Sequence, residues 1–69
     1  MNSKLLKVKM MLNDDTNSVL AKAIGISPQR LSAKINETGG AEFTQGEIEK
    51  IKNRYDLTPQ EVNDIFFAI

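Results

Sequence analysis

Apolar residues recur at helical spacing along this 69-residue chain, in short segments separated by Gly, Pro or clusters of small polar residues. No segment alternates apolar and polar residues in the way that a half-buried strand would. The pattern therefore predicts a single all-α domain. Its helices are expected at about 3–12, 17–24, 28–36, 45–55 and 59–67.

The first helix is expected to use Leu5, Val8 and Leu12 as its apolar stripe, because these residues recur at spacings of three and four. The lysines between them are then left for solvent. On this assignment the helix has further apolar surface to spare, at Leu6, Met10 and Met11.

Capping signals predict where the later helices begin and end. Thr16 and Ser27 each precede a helical segment, and Pro28 suits a first helical position because its missing N–H is not needed there. Gly25 can end the second helix in the left-handed conformation. Capping boxes are expected at Thr44 with Glu47 and at Thr58 with Glu61.

The amino-acid composition argues against several classes of enzyme and metal-binding protein. The chain has no Cys, His or Trp, so it lacks the usual zinc ligands, a thiol nucleophile and an imidazole base. The pair Asp14-Asp15 is interpreted as a helix-breaking loop and Gly39-Gly40 as a loop, since neither has the partners of a metal or phosphate site. We therefore predict a protein that is not an enzyme, with no cofactor, metal ion or small-molecule substrate. The apolar runs are too short for a membrane span, and a cytoplasmic protein is expected.

The net charge of zero hides an uneven distribution. Residues 1–36 hold six basic and two acidic side chains, whereas residues 37–69 hold three basic and seven acidic ones. Basic regions attract polyanions and acidic regions avoid them. This division favours one surface for nucleic acid and another for a different partner.

The stretch 16–36 has the pattern of a helix-turn-helix. Ala21 is small enough for two helices to approach, Gly25 makes the turn, and Ile26 fills the space beneath it. Leu31 and Ile35 are four apart and can seat the second of the two helices on the core. In this motif the second helix is presented to the major groove of DNA.

This stretch resembles the lambda-repressor-like family, also called Cro/CI or Xre helix-turn-helix proteins. The matching residues, at the spacing of the family, are Leu20-Ala21, Ile24-Gly25-Ile26-Ser27, Leu31-Ser32 and Ile35-Asn36, continuing into Phe43-Thr44, Glu47-Ile48, Ile51 and the segment 57–62. The resemblance covers roughly residues 12–67 and implies a five-helix DNA-binding domain. The segments 34–36 and 64–67 look most like small switch regulators of temperate phages of Gram-positive bacteria, including Cro-type repressors and modulators of repression (antirepressors).

The resemblance also implies site residues. Base contacts are expected from Pro28, Gln29, Arg30, Ala33 and Lys34, and phosphate contacts from Asn17, Lys22 and Asn36. Gln pairs well with adenine and Arg with guanine, so Gln29 and Arg30 suit direct readout. Pro28 departs from the polar base reader of many relatives, since its ring offers only apolar contact. With few cations on this surface, weak autonomous DNA binding is expected.

The last helix has one aromatic side chain too many for a small core. Phe66 and Phe67 lie about 100° apart around a helix, so both cannot easily point inward. Phe67 either folds back on the first helix or belongs to an exposed patch for a partner or a second copy. The candidates for a partner or dimer interface are Glu47, Glu49, Glu61, Phe66, Phe67 and Ile69.

Three hypotheses follow. The first is a transcription regulator of a phage-type lysogeny/lysis switch, acting on double-stranded operator DNA in the bacterial host cytoplasm together with a phage repressor, and able to form a homodimer. The alternative is an antirepressor that binds the repressor protein and alters its DNA binding, with little DNA binding of its own. The third is a structural or adaptor bundle, which explains everything except the motif.

Overall fold

The computed structural model describes residues 1–67, and these form an all-α fold, as the sequence predicts. The helices are α1 (Ser3–Leu12), α2 (Asn17–Ile24), α3 (Pro28–Asn36), α4 (Gln45–Tyr55) and α5 (Pro59–Phe66). Helix α5 therefore ends one residue before the expected position. The connection from α3 to α4, expected to be a plain loop, contains one 3-10 turn at Thr38–Gly40.

The predicted capping signals are confirmed. The hydroxyls of Thr16, Ser27, Thr44 and Thr58 each accept a hydrogen bond from the backbone N–H three residues later, and the last two belong to complete capping boxes. Gly25 ends α2 in the left-handed conformation at φ 83°, a backbone conformation that is costly for residues with a Cβ atom. Local sequence therefore determines these helix ends.

The core receives one large, fully buried aliphatic side chain from each helix. These side chains are Leu6, Leu20, Leu31, Ile51 and Ile65. Helix α2 packs against α3 and α4, while α1 packs against α5. Because every helix contributes to one cluster, α3 is held from several sides.

Helix α1 is rotated relative to the sequence expectation. Leu6 and Met10 are buried, whereas Leu12 is 69% exposed and Val8 is 42% exposed. The stripe assigned to the core thus lies largely outside, and two of the residues assigned to spare surface lie inside. Both sets of apolar residues have helical spacing, so periodicity alone could not distinguish them.

Three charged residues of α4 bind other elements of the fold. Glu47 pairs with Lys34 of α3, and Arg54 pairs with Asp15 in the α1–α2 connection. Lys50 extends to the carbonyl of Ile24, 3.5 Å away, at the end of α2. Helix α4 is therefore tied by side chains to each element of the helix-turn-helix region.

Candidate nucleic-acid interface

The turn between α2 and α3 is closed by backbone hydrogen bonds. The N–H groups of Gly25 and Ile26 both donate to the carbonyl of Ala21, each at 2.9 Å. Ser27 then accepts from the N–H of Arg30 at 3.2 Å and starts α3. Because Ala21 is fully buried, its small side chain lets the two helices pack closely, and Ile26 packs against the core beneath the turn.

The first turn of α3 faces solvent. Pro28, Gln29 and Arg30 are all exposed, while the following Leu31 is fully buried. Ala33, one turn later, is half-buried. Polar side chains at the exposed start of a helix held firmly by its other face are well placed to reach the edges of bases.

Lys34 does not share this exposed surface. Only 6% of the residue is exposed, and its Nζ donates to Glu47 Oε1 at 2.6 Å. We expected Lys34 to face outward, but its chain crosses to the start of α4, where Glu47 also accepts from the backbone N–H of Thr44 at 2.9 Å. A lysine held in this way serves to join α3 to α4.

The environment of Glu47 favours its charged form. Burial acts to raise the pKa of Glu47, but the hydrogen bonds from Lys34 and from the Thr44 backbone outweigh it, so the pKa lies below its ordinary value. Glu47 is therefore ionised at neutral pH. Its contact with the buried Lys34 holds that lysine within the fold.

The candidates for phosphate contact gather beside α3. Asn17 and Asn36 line one shallow pocket together with Lys7 and Ser32. Asn17 Nδ2 donates to Ser32 Oγ at 2.5 Å, which joins the start of α2 to the middle of α3. Lys22, the third candidate, is exposed on α2. The proximity of Lys7 to these residues depends on how α1 packs, whereas Ser32 lies one turn from Asn36 on α3 itself.

The exposed cation of α3 shares a shallow pocket with a carboxylate. Glu42 and Arg30 both line this pocket, and Lys34 lines it too. Glu42 is exposed, while Glu37 binds the Met1 ammonium at 3.0 Å. Carboxylates at this position oppose the approach of phosphates, so the local positive potential is weaker than the three cations Lys7, Lys22 and Arg30 alone would give.

A polar cluster behind the motif was missed by sequence reasoning. Arg54 donates two hydrogen bonds to Asp15, at 2.7 and 2.8 Å, and the hydroxyl of Tyr55 donates a third at 2.6 Å. Only 5% of the Asp15 side chain is exposed. The cluster ties the connection before α2 to the end of α4.

The pKa values in this cluster follow from its geometry. The hydrogen bonds from Arg54 hold the pKa of Asp15 below its ordinary value in spite of burial, and Tyr55 adds to the effect. Burial together with the adjacent carboxylate raises the pKa of the Tyr55 hydroxyl. The bidentate Arg54–Asp15 pair is therefore an ionised structural contact at neutral pH.

The candidates for a partner interface differ in how far they are already engaged within the fold. Glu47 and Glu61 already bind within the chain, through their capping boxes and through Lys34 and Lys9. Glu49 is exposed. Phe66 packs edge-to-face on Phe43, with ring centroids 5.5 Å apart, whereas Phe67 is 58% exposed. Ile69 lies outside the described residues.

Within residues 1–67, no group of three or more acidic side chains is arranged to hold a metal ion. No helix in this range has the length and apolar character needed to cross a membrane. Comparison with protein-family models, curated proteins and solved structures gives no match to this chain. The resemblance to lambda-repressor-like proteins therefore rests on the motif residues and remains a prediction.

Proposed function

We propose that the chain is a helix-turn-helix transcription regulator of a phage-type genetic switch. In this proposal α3 enters the major groove of operator DNA, with Gln29 and Arg30 reading base edges. Asn17, Asn36, Lys7 and Lys22 contact phosphates on either side.

The exposed first turn of α3 is the observation that carries the proposal. Pro28, Gln29 and Arg30 face solvent, while Leu31 and Ile35 of the same helix are buried. Direct readout requires polar side chains on a rigid element. The pocket lined by Lys7, Asn17 and Asn36 supplies polar groups next to that element, as backbone positioning requires.

The same surface supports only modest affinity. Lys34 is buried in its pair with Glu47, and Glu42 lies beside Arg30. Affinity for DNA depends strongly on the number of phosphates that are neutralised. We therefore propose that the protein acts together with a partner repressor of the same switch, which supplies the missing binding energy.

Selection from a pool of random duplexes, followed by fluorescence anisotropy on the selected site, tests this proposal. If Lys7 and Lys22 each neutralise one phosphate, binding should weaken about tenfold between about 50 and about 200 mM salt. Arg30→Ala should weaken the specific complex by about 1 to 3 kcal/mol, with the loss concentrated at one base pair.

Two variants serve as controls. Lys22→Ala should weaken binding to all duplexes alike and reduce the salt dependence. Lys52→Ala removes a half-buried lysine of α4 that has no part in the proposed interface, and it should leave the complex unchanged. An absence of salt-dependent binding at the lower salt concentration would refute the DNA-binding proposal.

A second candidate function, that of an antirepressor, is supported by a different pocket. Phe43, Phe66 and Phe67 line it together with the exposed carboxylate of Glu42 and with Glu37, which binds the Met1 ammonium at 3.0 Å. A carboxylate beside aromatic rings suits a basic partner surface, such as the DNA-binding face of a repressor. Glu42→Lys should then weaken binding to a co-encoded repressor in calorimetry, while Asn53→Lys should not. Equal affinity of both variants would contradict this candidate.

A further inference from the structure

The outward side of α1 is apolar. Three of the large apolar side chains that the structure leaves exposed lie on this one helix: Met11 at 68%, Leu12 at 69% and Val8 at 42%. Leu5, half-buried, continues the stripe toward the start of the helix. We call Leu5, Val8, Met11 and Leu12 the α1 outer face. Apolar groups concentrated on one helix face in this way indicate an interaction surface.

A groove between α1 and α5 borders the α1 outer face. Leu5, Val8 and Leu12 form its α1 side, and Ile65 contributes from α5. The ion pair of Lys9 with Glu61 crosses between the two helices. The exposed apolar side chains Val8, Met11 and Leu12 follow the axis of α1, so a second helix of similar length can lie against them.

The charges at the two ends of α1 indicate what this second helix is. Lys4 lies in the first turn, which contains no acidic residue, so its charge opposes the positive end of its own helix dipole. Asp14 follows the other end of α1 and is exposed. A partner helix that places an acidic end beside Lys4 and a lysine beside Asp14 would complement both ends.

We propose that this partner helix is α1 of a second copy, packed antiparallel across a two-fold axis near Val8. Val8 lies one turn from Lys4 and one turn from Leu12. The antiparallel arrangement places Leu12 of each copy against the start of the other α1. It also brings Lys4 of each copy toward Asp14 of the other and toward the negative end of the partner helix. Such an interface is self-complementary, as two-fold symmetry requires.

The proposed dimer does not depend on the proposed function. Lys7 lies on the flank of α1 that shares a pocket with Asn17 and Asn36, whereas Leu5 and Lys9 lie on the flank that faces α5. Asn17 and Asn36 lie on α2 and α3, outside the α1 outer face, while Lys7 borders that face one turn from Met11. One short helix buries less than the roughly 800 Å² per partner of a standard interface, so the association is weak and depends on concentration.

Sedimentation velocity on the whole chain tests the interface, from about 10 μM to about 1 mM protein. The wild type should shift from monomer toward dimer across this range. Leu12→Glu should raise the dimer dissociation constant at least about tenfold, because two copies of the side chain leave the interface. Val19→Glu is the matched control, since Val19 is 45% exposed on α2, outside the α1 outer face, and it should dimerise like the wild type.

A charge exchange tests the antiparallel arrangement. Lys4→Glu and Asp14→Lys should each weaken the dimer, and the two changes in one chain should restore it. Thermal melting checks that each variant folds. A wild type that remains monomeric throughout the range, a dimer that Leu12→Glu leaves intact, or a double variant without recovery would overturn the proposal. None of these outcomes bears on DNA binding, which is measured separately.

Discussion

Helices α1 and α3 are similar in length and both carry lysines, but their apolar residues are arranged differently. Helix α3 has one pair of large apolar residues, Leu31 and Ile35, and both are buried. Helix α1 buries Leu6 and Met10 and exposes a second apolar set. A helix with one apolar stripe can pack in only one orientation, whereas a helix with two stripes can use one for the core and offer the other to a partner.

The lysines of the two helices differ in the same way. Lys34 of α3 is buried and paired with Glu47, while Lys4 and Lys7 of α1 are exposed. A charged residue that sequence analysis assigns to a binding surface can therefore be buried in an ion pair within the fold. For this protein the difference removes Lys34 from the expected base contacts and adds Lys7 of α1 to the candidate phosphate contacts.

Truncating one side chain from each apolar stripe of α1 should give the largest difference in the free energy of unfolding. Leu6→Ala should lower the free energy of unfolding by about 2 to 5 kcal/mol, because Leu6 is fully buried. Leu12→Ala should change it by less than about 0.5 kcal/mol at protein concentrations where the monomer prevails. Urea unfolding followed by circular dichroism measures both. A larger loss for Leu12→Ala than for Leu6→Ala would mean that α1 packs with its other apolar stripe inward.

Removal of the buried lysine should have the next largest effect. Lys34→Ala should destabilise the protein by about 3 kcal/mol, since it leaves the carboxylate of Glu47 without its cation at a site that is largely closed to solvent. Arg30→Ala, on the exposed side of the same helix, should cost less than about 0.5 kcal/mol. Both variants are compared by urea unfolding at neutral pH.

The Lys34 prediction can be sharpened by replacing both partners. Lys34→Met combined with Glu47→Gln should recover at least about half of the lost stability, because no unpaired charge remains and Gln keeps the capping hydrogen bonds. A double variant as unstable as Lys34→Ala would show that direct attraction between the lysine and the carboxylate, rather than the cost of leaving one charge unpaired, accounts for the loss.

The Asp15 cluster should give the smallest of these effects at neutral pH, with a distinct dependence on pH. Hydrogen bonds from Arg54 lower the pKa of the Asp15 carboxyl in the folded protein. The folded state therefore binds a proton at Asp15 less readily than the unfolded state does. The resulting stability is complete at neutral pH and is lost as the pH falls below about 4. Asp15→Asn should lose about 2 kcal/mol at pH 7.

Melting temperatures measured from about pH 7 down to about pH 3 check this prediction. The wild type should approach the Asp15→Asn variant as the pH falls, while Glu47, whose pKa is also lowered, leaves part of the acid sensitivity in both proteins. Parallel curves for the two proteins would show that Asp15 does not contribute to the pH dependence.

Local sequence predicted the helix ends of this protein well. Thr44 with Glu47 and Thr58 with Glu61 satisfy backbone groups within four residues of themselves, so neighbouring residues are enough to define them. The exposed first turn of α3 was also accessible to sequence reasoning, because the buried Leu31 and Ile35 determine which side faces outward.

The rest of the candidate site depends on residues that are distant in sequence. Burial of Lys34 needs Glu47, thirteen residues away, and Asp15 meets Arg54 across thirty-nine residues. The proximity of Lys7 to Asn17 and Asn36 likewise depends on how α1 packs. No local pattern distinguishes such a lysine or aspartate from one that faces solvent.

The sequence by itself determined the all-α class, the helix ends and the turn at Gly25, because each of these follows from hydrogen bonds and backbone preferences within a few residues. Only the tertiary structure decided which apolar stripe of α1 entered the core and which cations remained available for a ligand. Burial and ion pairing depend on contacts between elements that are distant in sequence. Which apolar stripe of α1 is buried is therefore determined only when α1 packs against the other helices.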